Sequence, residues 1–194
     1  MLGLRRRRKA KLRAVQQWQG HVYGACMRCL ACLLLWVGCA TSGELRAGEF
    51  RKDAVHYRID PPGADWEQLT LEDENDLAWF HRGWAALIQV NASCSAEQDI
   101  PLRALRHHLL IGFTDVQLDE EEERMLDGRA ALHTPLQAKL DGVPRRMLLT
   151  VMKKNGCAFD FALIMASSSP AWSQAEQVYE KLLQHFHTEG RLSS

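Results

Sequence analysis

Cysteine and histidine are the side chains here with nucleophilic or metal-ligating chemistry, and the chain carries six of the first and eight of the second. A Cys/His hydrolase would use Cys94 or Cys157 as nucleophile and a histidine as base, because a thiolate forms at neutral pH only beside such a partner. His107, His108 or His133 would then have to lie within hydrogen-bond reach of a free thiol. The local sequence does not favour this. Asn91-Ala92-Ser93-Cys94 follows a strand-like run without a glycine-rich elbow, and Cys157 comes directly after Asn155-Gly156, a hairpin-turn dipeptide. A Cys94–Cys157 disulfide competes with the enzyme, and two separate thiols are the third alternative.

Metal chemistry finds less support. Cys26, Cys29 and Cys32 make a CxxCxxC pattern, but they sit in or beside an apolar run and no fourth ligand is near. His107 and His108 are neighbours on an expected helix, where adjacent side chains point about 100° apart, too far to grip one ion. His185 and His187 fall near the end of the last expected helix, where a cation suits the helix dipole. The acidic run 119–123 has consecutive carboxylates and not the interleaved spacing of a calcium loop. No metal, no cofactor and no catalytic residue is expected. Trp79 and Trp84 flank an expected turn near Arg82-Gly83 and make a candidate binding patch for an apolar ligand or partner.

The segment that carries an address is CLACLLLWVGC, Cys29 to Cys39. Its apolar core is far shorter than the ~20 residues of a bilayer-spanning helix. It follows the basic residues Arg5 to Arg13 and ends in Val37-Gly38-Cys39, with Trp36 where an aliphatic residue is usual. The arrangement resembles a bacterial lipoprotein signal, which implies cleavage before Cys39 and acylation of that cysteine. Residues 1–38 are then a signal peptide, with Met27 an alternative start, and 39–52 a flexible tether lacking apolar periodicity. Ala40 after the acylated cysteine implies the outer membrane, facing the periplasm. Export to an oxidising space permits Cys94 and Cys157 to pair, and a bacterial source makes the Asn91-Ala92-Ser93 sequon incidental.

Removing the signal changes the charge. The whole chain balances 24 basic against 24 acidic residues. Eight of the basic ones precede Cys39 and no acidic one does, so the remainder carries 16 against 24, a net charge of −8. Nucleic acid is an unfavourable partner for such a surface.

Residues 53–189 have the length of one ordinary domain, followed by a tail at 190–194. Val55 to Ile59 alternates with period two and ends at the turn Pro61-Pro62-Gly63; Trp66, Leu69 and Leu71 read as a short strand. Leu77 to Phe80 and Ala86 to Val90 read as a hairpin. Asp99 caps an expected helix with Pro101 in its first turn and Leu102, Leu105, Leu109 and Phe113 at helical spacing. Ala131–Leu140, Val143–Lys153 and Cys157–Ala166 are strand-like runs joined by Asp141-Gly142 and Asn155-Gly156, hence an antiparallel meander. Ala175, Val178, Leu182, Leu183 and Phe186 line a terminal helix. The fold class is α+β: an antiparallel sheet with a central and a C-terminal helix packed on it.

This order resembles the PsbP-like family, which includes bacterial envelope lipoproteins of the DcrB type. The residues that carry the resemblance are Tyr57-Arg58-Ile59-Asp60-Pro61-Pro62, the central helix, Leu126-Asp127-Gly128-Arg129-Ala130 and the helix ending in Phe186. It implies an accessory or assembly factor without an active site. Together with the signal it makes the expected protein a non-catalytic, lipid-anchored binder of an envelope protein or lipid-containing partner. An envelope thiol enzyme using Cys94 or Cys157 is the alternative.

Overall fold

The computed structural model describes residues 43–70, 76–94 and 100–189. The signal peptide, Cys39, Leu71, the capping Asp99 and the 190–194 tail lie outside the described residues.

Hairpins organise the chain. Strands β9 (Arg129–Leu140), β10 (Val143–Lys154) and β11 (Cys157–Ala166) form the expected meander. Its two turns use left-handed pairs, Asp141 and Gly142 at φ 50° and 80° and Asn155 and Gly156 at φ 54° and 75°, which match the twist of paired strands. β6 (Ala86–Cys94) lies against β11, and β5 (Leu77–His81) and the two-residue β4 (Glu67–Gln68) follow outward. Along the free side of β9 run β7 (Thr114–Leu118) and β8 (Glu122–Leu126). A second, four-stranded sheet has the order β1 (Glu44–Arg46), β2 (Glu49–Lys52), β3 (Val55–Arg58), β12 (His187–Thr188).

The pleat of the large sheet separates two cores. Phe159, Phe161, Leu163 and Met165 of β11 face one side and pack with Phe50 and Tyr57 of the small sheet. Helix α2 (Trp172–Gln184) closes that core with Trp172, Ala175, Tyr179, Leu182 and Leu183. The intervening Ala162 and Ile164 face the other side, where a smaller cluster of Leu110, Leu136, Ala138, Met147 and Leu149 lies under α1 (Leu102–Leu109). The fold is α+β, with the helices on opposite faces of an antiparallel sheet.

Two expectations need correction. The tether is not free of structure: Glu44–Lys52 folds into the β1–β2 hairpin, turned by Ala47 and Gly48 at φ 49° and 81°. Phe50 is fully buried and stacks on Tyr57 with ring centroids 4.9 Å apart, so the folded unit begins before residue 53. Only Leu45 and Phe50 turn inward from this hairpin, too few to give the sequence a period. Glu122 and Glu123 of the acidic run sit in β8 opposite His133 and Leu132 and are exposed. Phe186 packs in the core but follows α2 instead of belonging to it.

Candidate functional site

The smaller core leaves a groove beneath α1. Leu109 ends α1 and Leu110 caps it; Gly112 at φ 101° then turns the chain so that Phe113 returns beside them. Opposite stand Met147 and Leu149 of β10 and Ala162 and Ile164 of β11. These walls enclose about 190 Å³. One part of the lining is polar: Gln89 and Asn91 from β6 and Asp160 from β11. Two-residue alternation puts them all on one face, and the register sets Asn91 against Asp160 and Gln89 against Ala162.

Asp160 decides the electrostatics. Burial pushes its pKa up from 3.8 to about 7; the hydrogen bond from Asn91 works against that shift, and the charge of Asp76 adds to it. Among the described residues no lysine, arginine or histidine forms an ion pair with it. Asp76, at the entry to β5, is held up at about 6 by burial against the opposing pull of Lys52. Its Oδ2 accepts the Ala92 N–H at 2.9 Å and its Oδ1 meets Lys52 Nζ at 3.3 Å. Burial, reinforced by Asp76, also raises the Tyr57 phenol well above its usual range. The lysine thus serves one of the two acids. Asn91 adds an unmet acceptor, since its Oδ1 is buried without a hydrogen-bond partner.

The residues singled out by sequence lie elsewhere. Cys94 and Cys157 are joined, with Sγ atoms 2.03 Å apart across directly opposed positions of β6 and β11. Their sulfurs therefore offer no nucleophile. His107 and His108 are exposed on α1. His133 is buried on the α2 side, its Nδ1 2.9 Å from Thr150 Oγ1, to which the Tyr179 hydroxyl donates at 2.8 Å. Burial, helped by Arg124, lowers its pKa to about 4, so the ring is neutral and structural at pH 7. His185 stands 3.6 Å from Asp60, and His187 3.3 Å from Asp127; Asp127 also takes the Thr188 N–H at 2.8 Å and so ties down β12.

The tryptophan patch is corrected. Trp79 is 1 % exposed in the larger core, where alternation along β5 aims it inward, so it shares no surface with Trp84. Trp84 is half-buried and stacks on His81 at 4.0 Å, with Trp66 edge-on at 6.1 Å. Sequence reading missed Asp160, although a signal existed: it is the one charged residue in the strand CAFDFALIMA. Among the described residues no three His, Cys, Asp or Glu side chains gather as a metal site, and no helix is long and apolar enough to cross a membrane.

No protein-family model and no curated protein matches the chain. Solved structures do. The chain is similar to LpqN of Mycobacterium tuberculosis, described as involved in cell envelope biogenesis, at 15% identity over 70% of this chain and 86% of that one, with a TM-score of 0.50. It is also similar to the cyanobacterial PsbP, CyanoP, of Synechocystis at 14% identity, 85% and 98% coverage and a TM-score of 0.50. The Ran-binding protein Mog1p of Saccharomyces cerevisiae matches at 12% identity, 71% and 91% coverage and a TM-score of 0.51. The fold is PsbP-like. At these identities the likeness establishes architecture alone, and within this PsbP-like sandwich the α1 groove is the candidate site.

Proposed function

We propose that this protein is a lipid-anchored, non-catalytic binding or assembly factor of the bacterial cell envelope, acting through the groove between α1 and the large sheet. The observation that carries the non-catalytic reading is the Cys94–Cys157 bond, which consumes both thiols an envelope thiol enzyme would need. Support for the location comes from Val37-Gly38-Cys39 behind a short apolar run and a basic block, and from the envelope role stated for LpqN, which shares the fold. The anchor is an acylated Cys39 in the outer membrane, with the domain in the periplasm. The partner is an envelope protein or a lipid-containing molecule; a net charge of −8 beyond the signal disfavours nucleic acid.

The test is expression in a Gram-negative host, membrane fractionation, thiol alkylation without reduction, and intact-mass measurement. The expected species is membrane-bound, starts at Cys39, carries acyl mass and has no alkylated thiol, while Cys39→Ala is released to the soluble fraction. A soluble, full-length species with alkylated cysteines would overturn the proposal.

A further inference from the structure

The groove has a chemical asymmetry that selects its occupant. Its walls are hydrocarbon, from Leu109, Phe113, Leu149 and Ile164, while its polar end presents the Asp160 carboxyl and the unmet Oδ1 of Asn91. A half-buried carboxyl with no ion pair among the described residues and a buried amide oxygen without a donor are each unfavourable. The neighbouring lysines are engaged elsewhere: Lys52 at Asp76, and Lys153 at the Ile100 carbonyl, 2.8 Å away. We propose that the groove binds a small aliphatic amine, its hydrocarbon between α1 and the sheet and its protonated nitrogen on Asp160 and Asn91.

This inference rests on the reading of the groove as the protein's binding site. An ammonium brings three donors and no acceptor, which suits the Asp160 carboxylate together with Asn91 Oδ1. A carboxylate ligand would meet Asp160 with Asp76 behind it, and an alcohol would leave the buried charge uncompensated. The volume limits size: 190 Å³ holds about six groups of water size at about 30 Å³ each, so the ligand is a short chain and not a diacyl lipid.

The test is calorimetric titration of the purified full-length protein with hexylammonium, hexanol and hexanoate. Hexylammonium should bind one per chain, at least tenfold tighter than hexanol, and hexanoate should bind weaker than hexanol. Asp160→Asn should remove the preference, so that hexylammonium binds this variant no tighter than hexanol does, while an unchanged circular-dichroism spectrum reports that the variant is folded. Ala162→Trp, which fills the groove, should abolish both. Hexanol binding without a preference for the amine, or a preference that survives Asp160→Asn, would overturn the amine assignment and leave the groove intact as a binding site. No binding by either neutral or cationic probe would overturn the groove itself.

Discussion

Asp160→Asn should make the protein more stable at neutral pH, by an amount that grows with pH. In the folded chain burial holds the carboxyl at about 7 against an ordinary 3.8. The folded state therefore binds one proton more than the unfolded state between those two values. A raised carboxyl pKa means that its stabilising effect is fully present below about pH 4, declines as pH rises, and is gone above about pH 7. At about 1.4 kcal/mol per pH unit, ionising Asp160 in place costs up to about 4 kcal/mol. Asparagine is nearly isosteric and can still pair with Asn91, but it has no charge to bury. The stability of Asp160→Asn minus that of the natural protein should thus run from near zero at pH 4 to about 4 kcal/mol at pH 8. Urea unfolding followed by tryptophan fluorescence, at half-unit pH steps, measures it. The difference between proteins is the quantity to read, because His133, lowered to about 4, contributes the opposite slope to each one. A pH-independent difference would mean that Asp160 ionises freely, and the reasoning about an uncompensated carboxyl in the groove would fall.

Two further outcomes follow from packing and covalent structure. Phe50→Ala removes a fully buried ring stacked on Tyr57 and should cost about 3–5 kcal/mol in urea unfolding; a loss under about 1 kcal/mol would show that the β1–β2 hairpin is a dispensable tether after all. The paired substitution Cys94→Ala with Cys157→Ala opens a link across 63 residues of sequence and should lower stability by about 2–4 kcal/mol. An unchanged midpoint under non-reducing conditions would argue that the two sulfurs are not bonded in the protein.

Several elements were legible because their signals are local. Asp141-Gly142 and Asn155-Gly156 between alternating apolar runs specify the meander through the left-handed turns that each dipeptide accepts. The α2 stripe of Ala175, Leu182 and Leu183 faces the core as its spacing requires. The β1–β2 hairpin was illegible because it contributes only Leu45 and the Phe50 ring, whose partner Tyr57 lies in the next strand. Trp79 misled for a related reason: proximity to a turn says nothing about which side of the pleat a residue occupies, and here it is the core side. Asp160 could have been flagged as a charge inside an apolar strand, yet nothing in its neighbours named Asn91, Asp76 or α1 as its surroundings.

The sequence by itself determined the β9–β11 meander, the two helices, the turn chemistry, the N-terminal address pattern and the acidic balance, because each depends on residue type and on spacings of a few positions. Only the tertiary structure decided that Cys94 and Cys157 stand opposite each other, that Trp79 is core, and that α1 leaves a groove ending in Asp160. Those facts depend on which strands become neighbours and which face each presents, and cross-strand register is set by packing summed over the whole sheet.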